Sequence, residues 1–472
     1  MSRLIIVSNR VQAPTGEGGG NQGGLAVALS AALREYSGLW FGWSGETTEQ
    51  FTGHINFQRN HGVTTATIDL EDQDVDEYYN GFANRTLWPL FHYRIDLAEF
   101  ERGFAGGYER VNARFADTLM PLIESEDLVW VHDYHLIPLG QELRRRDIRN
   151  RIGFFLHIPW PPTRLLLSLP DHMSLVDALF DYDVIGFQNK DWLDSFIHYV
   201  TTQMDGHVGE DGLVTVGERT VRAIACPIGI DTTEFVQASQ STAARYGRYR
   251  LKRSAGGRDI IIGVDRLDYS KGLQERFLGY ERFLAGHADQ HGEVLLLQIA
   301  PPSRADVKSY QEIRASLDSL SGRINGEFAD VDWVPIRYVN QGYPRDQLAG
   351  FYRAARVGLV TPLRDGMNLV AKEYVAAQDP DDPGVLVLSR FAGAAEQLKD
   401  AVLVNPYSAE ELSDAIHTAL TMPKEERIRR WRALMTNIEQ EDVMWWRRVF
   451  TDALVAPAPQ LVPKPAVNDA AA

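Results

Sequence analysis

Only one cysteine, Cys226, occurs in 472 residues. An internal disulfide is therefore impossible, which suits a reducing, cytoplasmic setting. Positive charge is in short supply: 48 Lys and Arg stand against 64 Asp and Glu, a formal net charge of −16. Such a surface repels nucleic acid and anionic lipid, so neither is an expected partner. No apolar run approaches the length of a membrane span. The opening stretch MSRLIIVSNR is too briefly apolar for a secretory signal. No repeat of solenoid length is present. A disordered chain is excluded as well, because 44% of residues are hydrophobic and 10% aromatic. What remains is a globular protein acting on small molecules, too long for one core and suited to two domains. A phosphorylated substrate would need a locally basic pocket.

Short apolar runs alternate with helical stretches. Leu4–Ser8, Leu128–His132, Ile152–His157 and Val184–Phe187 read as buried parallel strands, with helices over Leu25–Leu33, Tyr108–Ile123 and Leu136–Arg146. A second series follows: strands at Asp259–Val264, Glu293–Ile299, Trp333–Tyr338, Val357–Thr361 and Gly384–Leu388, with helices such as Gly272–Ala285 and Leu369–Gln378. The alternation predicts two doubly wound α/β units joined around Ile230–Ser254. Ligands in such sheets sit beyond the carboxyl ends of strands, which places the site in the cleft between the units. Lys424–Leu454 reads as one long helical region able to cross back to the first unit, and the Pro- and Ala-rich tail Ala456–Ala472 as frayed. Expected boundaries are 1–235 and 236–440 for the two domains, 441–455 for the crossing helix and 456–472 for the tail. The basic runs Arg144–Arg146 and Arg427–Arg432 read as solvated helix faces.

Several strand ends carry residues able to do chemistry. Gly18, Gly20 and Gly23 match G-x-G-x-x-G, but about nine residues separate them from the strand at Ser8, where a dinucleotide site needs direct succession. Gly23 and Gly24 either open a helix whose free N–H groups face an anion or form a plain loop. GVDRLDYSKG, from Gly263 to Gly272, places Arg266 and Lys271 after a strand. Two cations there suit a pyrophosphate; equally, Asp265 and Asp268 could pair with them. In TPLRDGMNLVAKEYVAAQ a loop turns at Gly366 and a helix begins near Asn368 or Leu369. Glu373 lies about one turn in, where it either accepts two bonds from a ribose diol or is an exposed helix residue balanced by Lys372. WVHDYH brings His132, Asp133 and His135 to a strand end. The spacing fits no usual metal site, and Asp133 suits a sugar hydroxyl. His157 in HIPWPP is structural or sugar-facing. Asp181-Tyr182-Asp183 imitates the D-x-D of metal-dependent transferases but reads as a turn. Tyr78, Tyr79 and Trp88, in YYNGFANRTLWP, are either sugar-lining or core aromatics.

These segments together resemble the trehalose-6-phosphate synthase family, glycosyltransferase family 20. The likeness runs from about Arg3 to Asp452 through VSNR, GGL, YYN…LWP, WVHDYHL, HIPWPP, VDRLDYSKGL, RINGEF and TPLRDGMNLVAKEYVAAQ. It implies a GT-B fold, two Rossmann-like doubly wound domains facing a central cleft. By resemblance, Arg10, Tyr79, Trp88, Asp133 and Arg304 bind glucose-6-phosphate, with Arg10 and Arg304 on its phosphate. Gly23, Gly24, His157, Arg266, Lys271, Tyr343, Asp365, Asn368, Leu369, Val370, Ala371, Lys372 and Glu373 bind the nucleotide sugar. Trp88 and Ile158 select the acceptor anomer, and Arg266, Lys271, Asp133 and His157 form the catalytic set. The only change noted is Trp160, where many members have phenylalanine. The implied activity is metal- and cofactor-free retaining transfer of glucose from a nucleoside-diphosphate glucose, UDP-glucose first, forming α,α-trehalose-6-phosphate for trehalose biosynthesis and stress protection. The implied assembly is a homotetramer, and the phosphatase domain carried by some relatives is not expected. Alternatives are a glucosylglycerol-phosphate synthase, a pseudo-glycosyltransferase or a non-catalytic sugar-phosphate sensor.

Overall fold

The computed structural model describes residues 3–11, 38–60, 63–209, 212–303 and 308–457. Gly23, Gly24, Arg304, the expected helix Leu25–Leu33 and most of the expected tail lie outside these residues. Among the described residues, sixteen strands form two sheets. The first contains β1 (Leu4–Arg10), β2 (Leu39–Thr48), β3 (Asn56–Asn60), β4 (Val63–Glu71), β5 (Leu128–His132), β6 (Ile152–Phe155), β7 (Val184–Phe187), β8 (His207–Val208), β9 (Leu213–Val216) and β10 (Arg219–Ala225), in the order β3-β4-β2-β1-β5-β6-β7-β10-β9-β8. The second contains β11 (Asp259–Val264), β12 (Val294–Ile299), β13 (Ile336–Val339), β14 (Val357–Val360), β15 (Val385–Ser389) and β16 (Val402–Val404), in the order β13-β12-β11-β14-β15-β16. All pairings of the second sheet are parallel. Helices cover both faces, as buried, continuously apolar strands such as Val357–Val360 require.

Several expected boundaries moved, two of them for a clear local reason. The strand expected from Trp333 starts at Ile336, because Pro335 has no N–H for the ladder. The long C-terminal helix is two helices, Lys424–Gln440 and Val443–Val455. Asp442 separates them and caps the second, accepting the Trp445 N–H at 2.8 Å. β6 ends at Phe155, two residues before His157.

The helix Val443–Val455 lies on the first sheet. Phe450 stacks on Trp130 with ring centroids 4.4 Å apart, and Trp446 lies 4.8 Å from the same ring. Gly153 and Gly186 permit this approach: a Cβ on Gly153 would stand 2.6 Å from Phe450. Of the expected solvated face Arg144–Arg146, Arg145 is exposed, while its two neighbours are partly buried in ion pairs. Arg144 pairs with Asp183, and Arg146 with Asp117 and Glu142. Asp183 also pairs with Arg151, so Asp181-Tyr182-Asp183 is a structural turn. Arg427 is buried and pairs with Asp382.

Candidate active site

Each sheet has a point where the chain reverses its strand order, and such points leave a crevice at the carboxyl ends. In the first sheet it lies between β1 and β5, which end at Arg10 and His132. In the second it lies between β11 and β14, which lead into Asp265–Gly272 and Thr361–Asn368. The two crevices face each other. A cavity of about 290 Å³ at the second of these points is lined by Asp265, Arg266, Lys271, Asp365, Asn368, Leu369, Val370 and Glu373, with Val264 and Met367, and is closed from the first half by His157, Gln188 and Ile228, which follow β6, β7 and β10.

The pairing of charges on the second side is specific. Asp265 does not take Arg266 or Lys271; its carboxylate meets Arg276 at 2.6 Å, both side chains buried. Arg276 also donates to Gln298 Oε1 and Thr361 Oγ1, so one guanidinium joins the ends of β11, β12 and β14. Asp268 accepts from the Ser270 N–H and the Tyr310 hydroxyl. Lys271 Nζ lies 2.5 Å from Asp365. Burial alone would lift the Asp365 carboxyl, but Lys271, with help from His92 and Asn368, holds it below the usual carboxylate range. Arg266 is exposed and has no carboxylate partner among the described residues. Its guanidinium reaches across the cleft to 5.9 Å from the Trp88 ring.

The helix Leu369–Ala377 presents its positive end to the cavity. Asn368, at φ 85°, caps it by accepting the Ala371 N–H and also donates to Asp365. Leu369, Val370 and Glu373 line the cavity, whereas Ala371 and Lys372 are buried in the interior. Of the run 369–373 expected to bind the donor, two side chains turn inward because a helix rotates successive side chains by about 100°. Lys372 does not balance Glu373 on the surface either. Its Nζ donates to the Ile228 carbonyl at 2.8 Å, and burial pulls the ammonium down to about 7. Burial lifts Glu373 to about 7, with Arg345 opposing the shift. Tyr343 packs edge-on against Phe351 and its hydroxyl accepts from Gln341.

On the first side, Val75–Leu87 is wound as a π-helix, and the Trp88 N–H donates to Ala83 O, five residues back. In an α-helix Tyr79 and Trp88 would stand about two and a half turns apart, on opposite sides. The wider winding brings them to one side, where Tyr79 stacks on His135 and Trp88 packs on Tyr134. Arg10 lies over Trp43, whose ring also meets Tyr79, and beside Gly45. Asp133 has φ 75°, a costly conformation for a residue with a Cβ. It sits where its carboxylate accepts the His157 N–H at 3.2 Å.

His157 is held by a defined network. Gln188 Oε1 accepts the Ile228 N–H, so Gln188 Nε2 faces His157 Nδ1 at 3.3 Å and donates to it. His157 Nε2 then carries the hydrogen and donates to His132 Nδ1 at 3.0 Å. Both ring nitrogens are engaged, and burial lowers the imidazole pKa to about 3. With both nitrogens engaged, His157 is a neutral ring that Gln188 and His132 hold in place at the cavity wall. Gly366 touches the same residue. A Cβ there would lie 2.0 Å from His157 O and 2.8 Å from the Cα of the buried Ile158.

Sequence reading missed Gln188, Ile228, Val264, Met367 and His92. Gln188 follows directly on β7, so the strand-end rule alone could have found it. His92 packs 4.1 Å from Trp88 and feels the charges of Asp268, Asp365 and Lys271, while burial lowers it to about 4. Nothing local marks it.

The glycosyltransferase family 20 model matches residues 3–456. The trehalose-6-phosphate synthase of Sinorhizobium fredii is 49% identical, over 97% of this chain and 99% of its own. A solved α,α-trehalose-phosphate synthase (UDP-forming) from Burkholderia xenovorans, in complex with glucose-6-phosphate, superposes with a TM-score of 0.91 at 48% identity, covering 96% of this chain and 100% of that one. The E. coli trehalose-6-phosphate structure bound with UDP-2-fluoro glucose superposes with a TM-score of 0.93 at 45% identity, over 97% and 100%.

Proposed function

The chain belongs to glycosyltransferase family 20, and from that premise we propose that it transfers glucose from a nucleoside-diphosphate glucose, UDP-glucose first, to glucose-6-phosphate, with retention, forming α,α-trehalose-6-phosphate. The observation that carries the reading is the cavity at the reversal point of the second sheet, whose wall brings together Arg266, Lys271, the start of the helix Leu369–Ala377 and Glu373. That combination of groups fits a nucleotide sugar. The diphosphate takes the two cations, and the Glu373 carboxylate takes the ribose hydroxyls. Leu369 and Val370 offer N–H groups at the helix terminus.

Retention through a covalent intermediate needs a carboxylate free to attack. Asp265 is committed to Arg276, and Asp365 is held by Lys271 and Asn368. Front-face displacement fits better. The acceptor hydroxyl approaches the anomeric carbon on the side from which the diphosphate leaves. The bond from that carbon to the phosphate oxygen breaks, the bond to the acceptor oxygen forms, and the acceptor proton passes to the departing phosphate. Arg266 and Lys271 stabilise the charge gathering on the diphosphate. Asp365 and Asp133 orient sugar hydroxyls. Tyr79 and Trp88 form the acceptor wall; Arg10 and Arg304 hold its phosphate. The functional unit is a cytoplasmic homotetramer. Purified protein given glucose-6-phosphate and a panel of UDP-, GDP- and ADP-glucose, with product read by mass, tests the reaction. A disaccharide phosphate from UDP-glucose is expected; nucleotide release without that product overturns the reading.

A further inference from the structure

A second and larger cavity, about 950 Å³, lies on the other side of the donor loop Thr361–Asn368. It too is built from both halves of the chain. Four cations line it, Arg164, Lys190, Arg364 and Arg390, against Asp191, Asp194 and Glu396. Some of these charges are already spent. Lys190 pairs with Asp194, Arg390 with Glu411 outside the cavity, and Glu396 accepts the Lys190 N–H at 3.1 Å. Arg164 and Arg364 have no ion-pair partner among the described residues, and two lining carboxylates oppose them: Asp191, and Glu396, whose bond to a neutral N–H leaves its charge in place. Arg364 is clamped between Tyr93 and Phe391, 4.1 and 4.6 Å from the ring centroids, with its buried Nε lacking a hydrogen-bond partner. Holding a half-buried guanidinium without a counter-charge is costly unless an anion arrives.

We propose that this cavity is a second ligand site, which binds a phosphate monoester carried on a sugar or nucleoside and couples its occupancy to the donor loop. Arg164 and Arg364 take the phosphate, a dianion they can fork onto. The faces of Tyr93, Trp192 and Phe391 supply apolar surface for the attached body. The coupling runs through short bonds. Arg364 is the neighbour of Asp365, which holds Lys271. Trp192 Nε1 donates to Gly366 O at 3.3 Å, and the Gly393 N–H donates to Asp365 O at 3.1 Å. An anion that draws on Arg364 therefore moves the peptide that sets Asp365.

Calorimetric titration of the full-length protein, with UDP saturating to fill the donor cavity and glucose-6-phosphate, itself a sugar phosphate monoester, left out, tests the site; the binding lost in Arg164→Ala is the part that belongs to it. The probes are inorganic phosphate, ribose 5-phosphate, AMP and neutral ribose. Saturable binding of a phosphorylated probe and none of ribose is expected; AMP binding tighter than ribose 5-phosphate identifies a nucleoside body, the reverse a sugar. Arg164→Ala, at an exposed side chain outside the reaction site, should weaken binding roughly tenfold or more at unchanged basal turnover. Asp191→Asn should tighten it. In initial rates the bound probe should shift the donor KM of the wild type at least twofold and that of Arg164→Ala much less. No binding by any phosphorylated probe, or equal binding by Arg164→Ala, overturns the site. Binding that leaves the donor KM unmoved overturns the coupling. The titration needs no turnover, so it stands apart from the assignment of the reaction.

Discussion

Gly366 is the point where the two halves meet backbone to backbone, and replacing it by alanine isolates that contact. Its φ lies outside the left-handed region, so alanine meets no conformational penalty there. The penalty is steric. The new Cβ would stand 2.0 Å from His157 O, whereas real Cβ atoms essentially never come within 3.0 Å of a neighbour. The carbonyl oxygen cannot swing aside as a flexible side chain would, and Ile158 Cα blocks the next direction at 2.8 Å. The donor loop must retreat by about 1 Å, carrying Asp365 and Asn368 with it. A displacement of ~1 Å in positioning groups costs on the order of 10²-fold in rate. Overpacking at a tight contact costs a further ~1–3 kcal/mol of stability. Initial rates of nucleotide release in Gly366→Ala should therefore show kcat/KM about a hundredfold below wild type, with lowered thermal unfolding. Gly103→Ala is the matched control. It lies in the helix Arg102–Leu119 with nothing within 4 Å of its Cβ position. It should leave the rate unchanged and add ~0.4–1 kcal/mol of stability. A Gly366→Ala enzyme within twofold of wild type would refute the argument that this contact sets the distance across the cleft.

Other perturbations probe single interactions. Arg266→Ala should cut turnover at least tenfold while the unfolding transition barely moves, since that cation is exposed; Lys271→Ala should cut turnover as much and also lower stability, because it strands the Asp365 carboxylate; near-normal rates in both would remove them from leaving-group stabilisation. The free-enzyme pKa of Glu373, raised to about 7 by burial, leaves the carboxyl protonated and a poorer acceptor on the acid side. Donor KM should rise roughly tenfold between pH 8 and pH 6, and Glu373→Gln should flatten that profile; parallel profiles count against a ribose contact. Arg276→Met strands the buried Asp265 carboxylate and should cost about 3–5 kcal/mol in urea unfolding. The double variant Asp265→Leu/Arg276→Met should recover much of that loss, and a double variant as unstable as the single one would show that the charge pairing is not what Arg276 supplies.

Local pattern determined a good deal of this protein. Apolar runs of strand length located the ends of β5, β7 and β11, and Arg266 and Lys271 beyond β11 share one cavity wall with His157 beyond β6, because parallel strands deliver all their carboxyl ends to the same edge. Long motifs were enough for the family. Partnership was another matter. Which carboxylate neutralises which cation depends on residues far apart in the chain: Asp265 on Arg276, Asp365 on Lys271 across 94 positions. The π-helix that turns Tyr79 and Trp88 to one side, and the inward rotation of Lys372 toward Ile228, likewise follow from packing that no short window contains. Residue types and their order set what chemistry is available at each strand end. Only the closing of one half against the other, at contacts such as Gly366 on His157 and Arg266 over Trp88, decided where that chemistry converges, because such distances are fixed by long-range packing and not by sequence spacing.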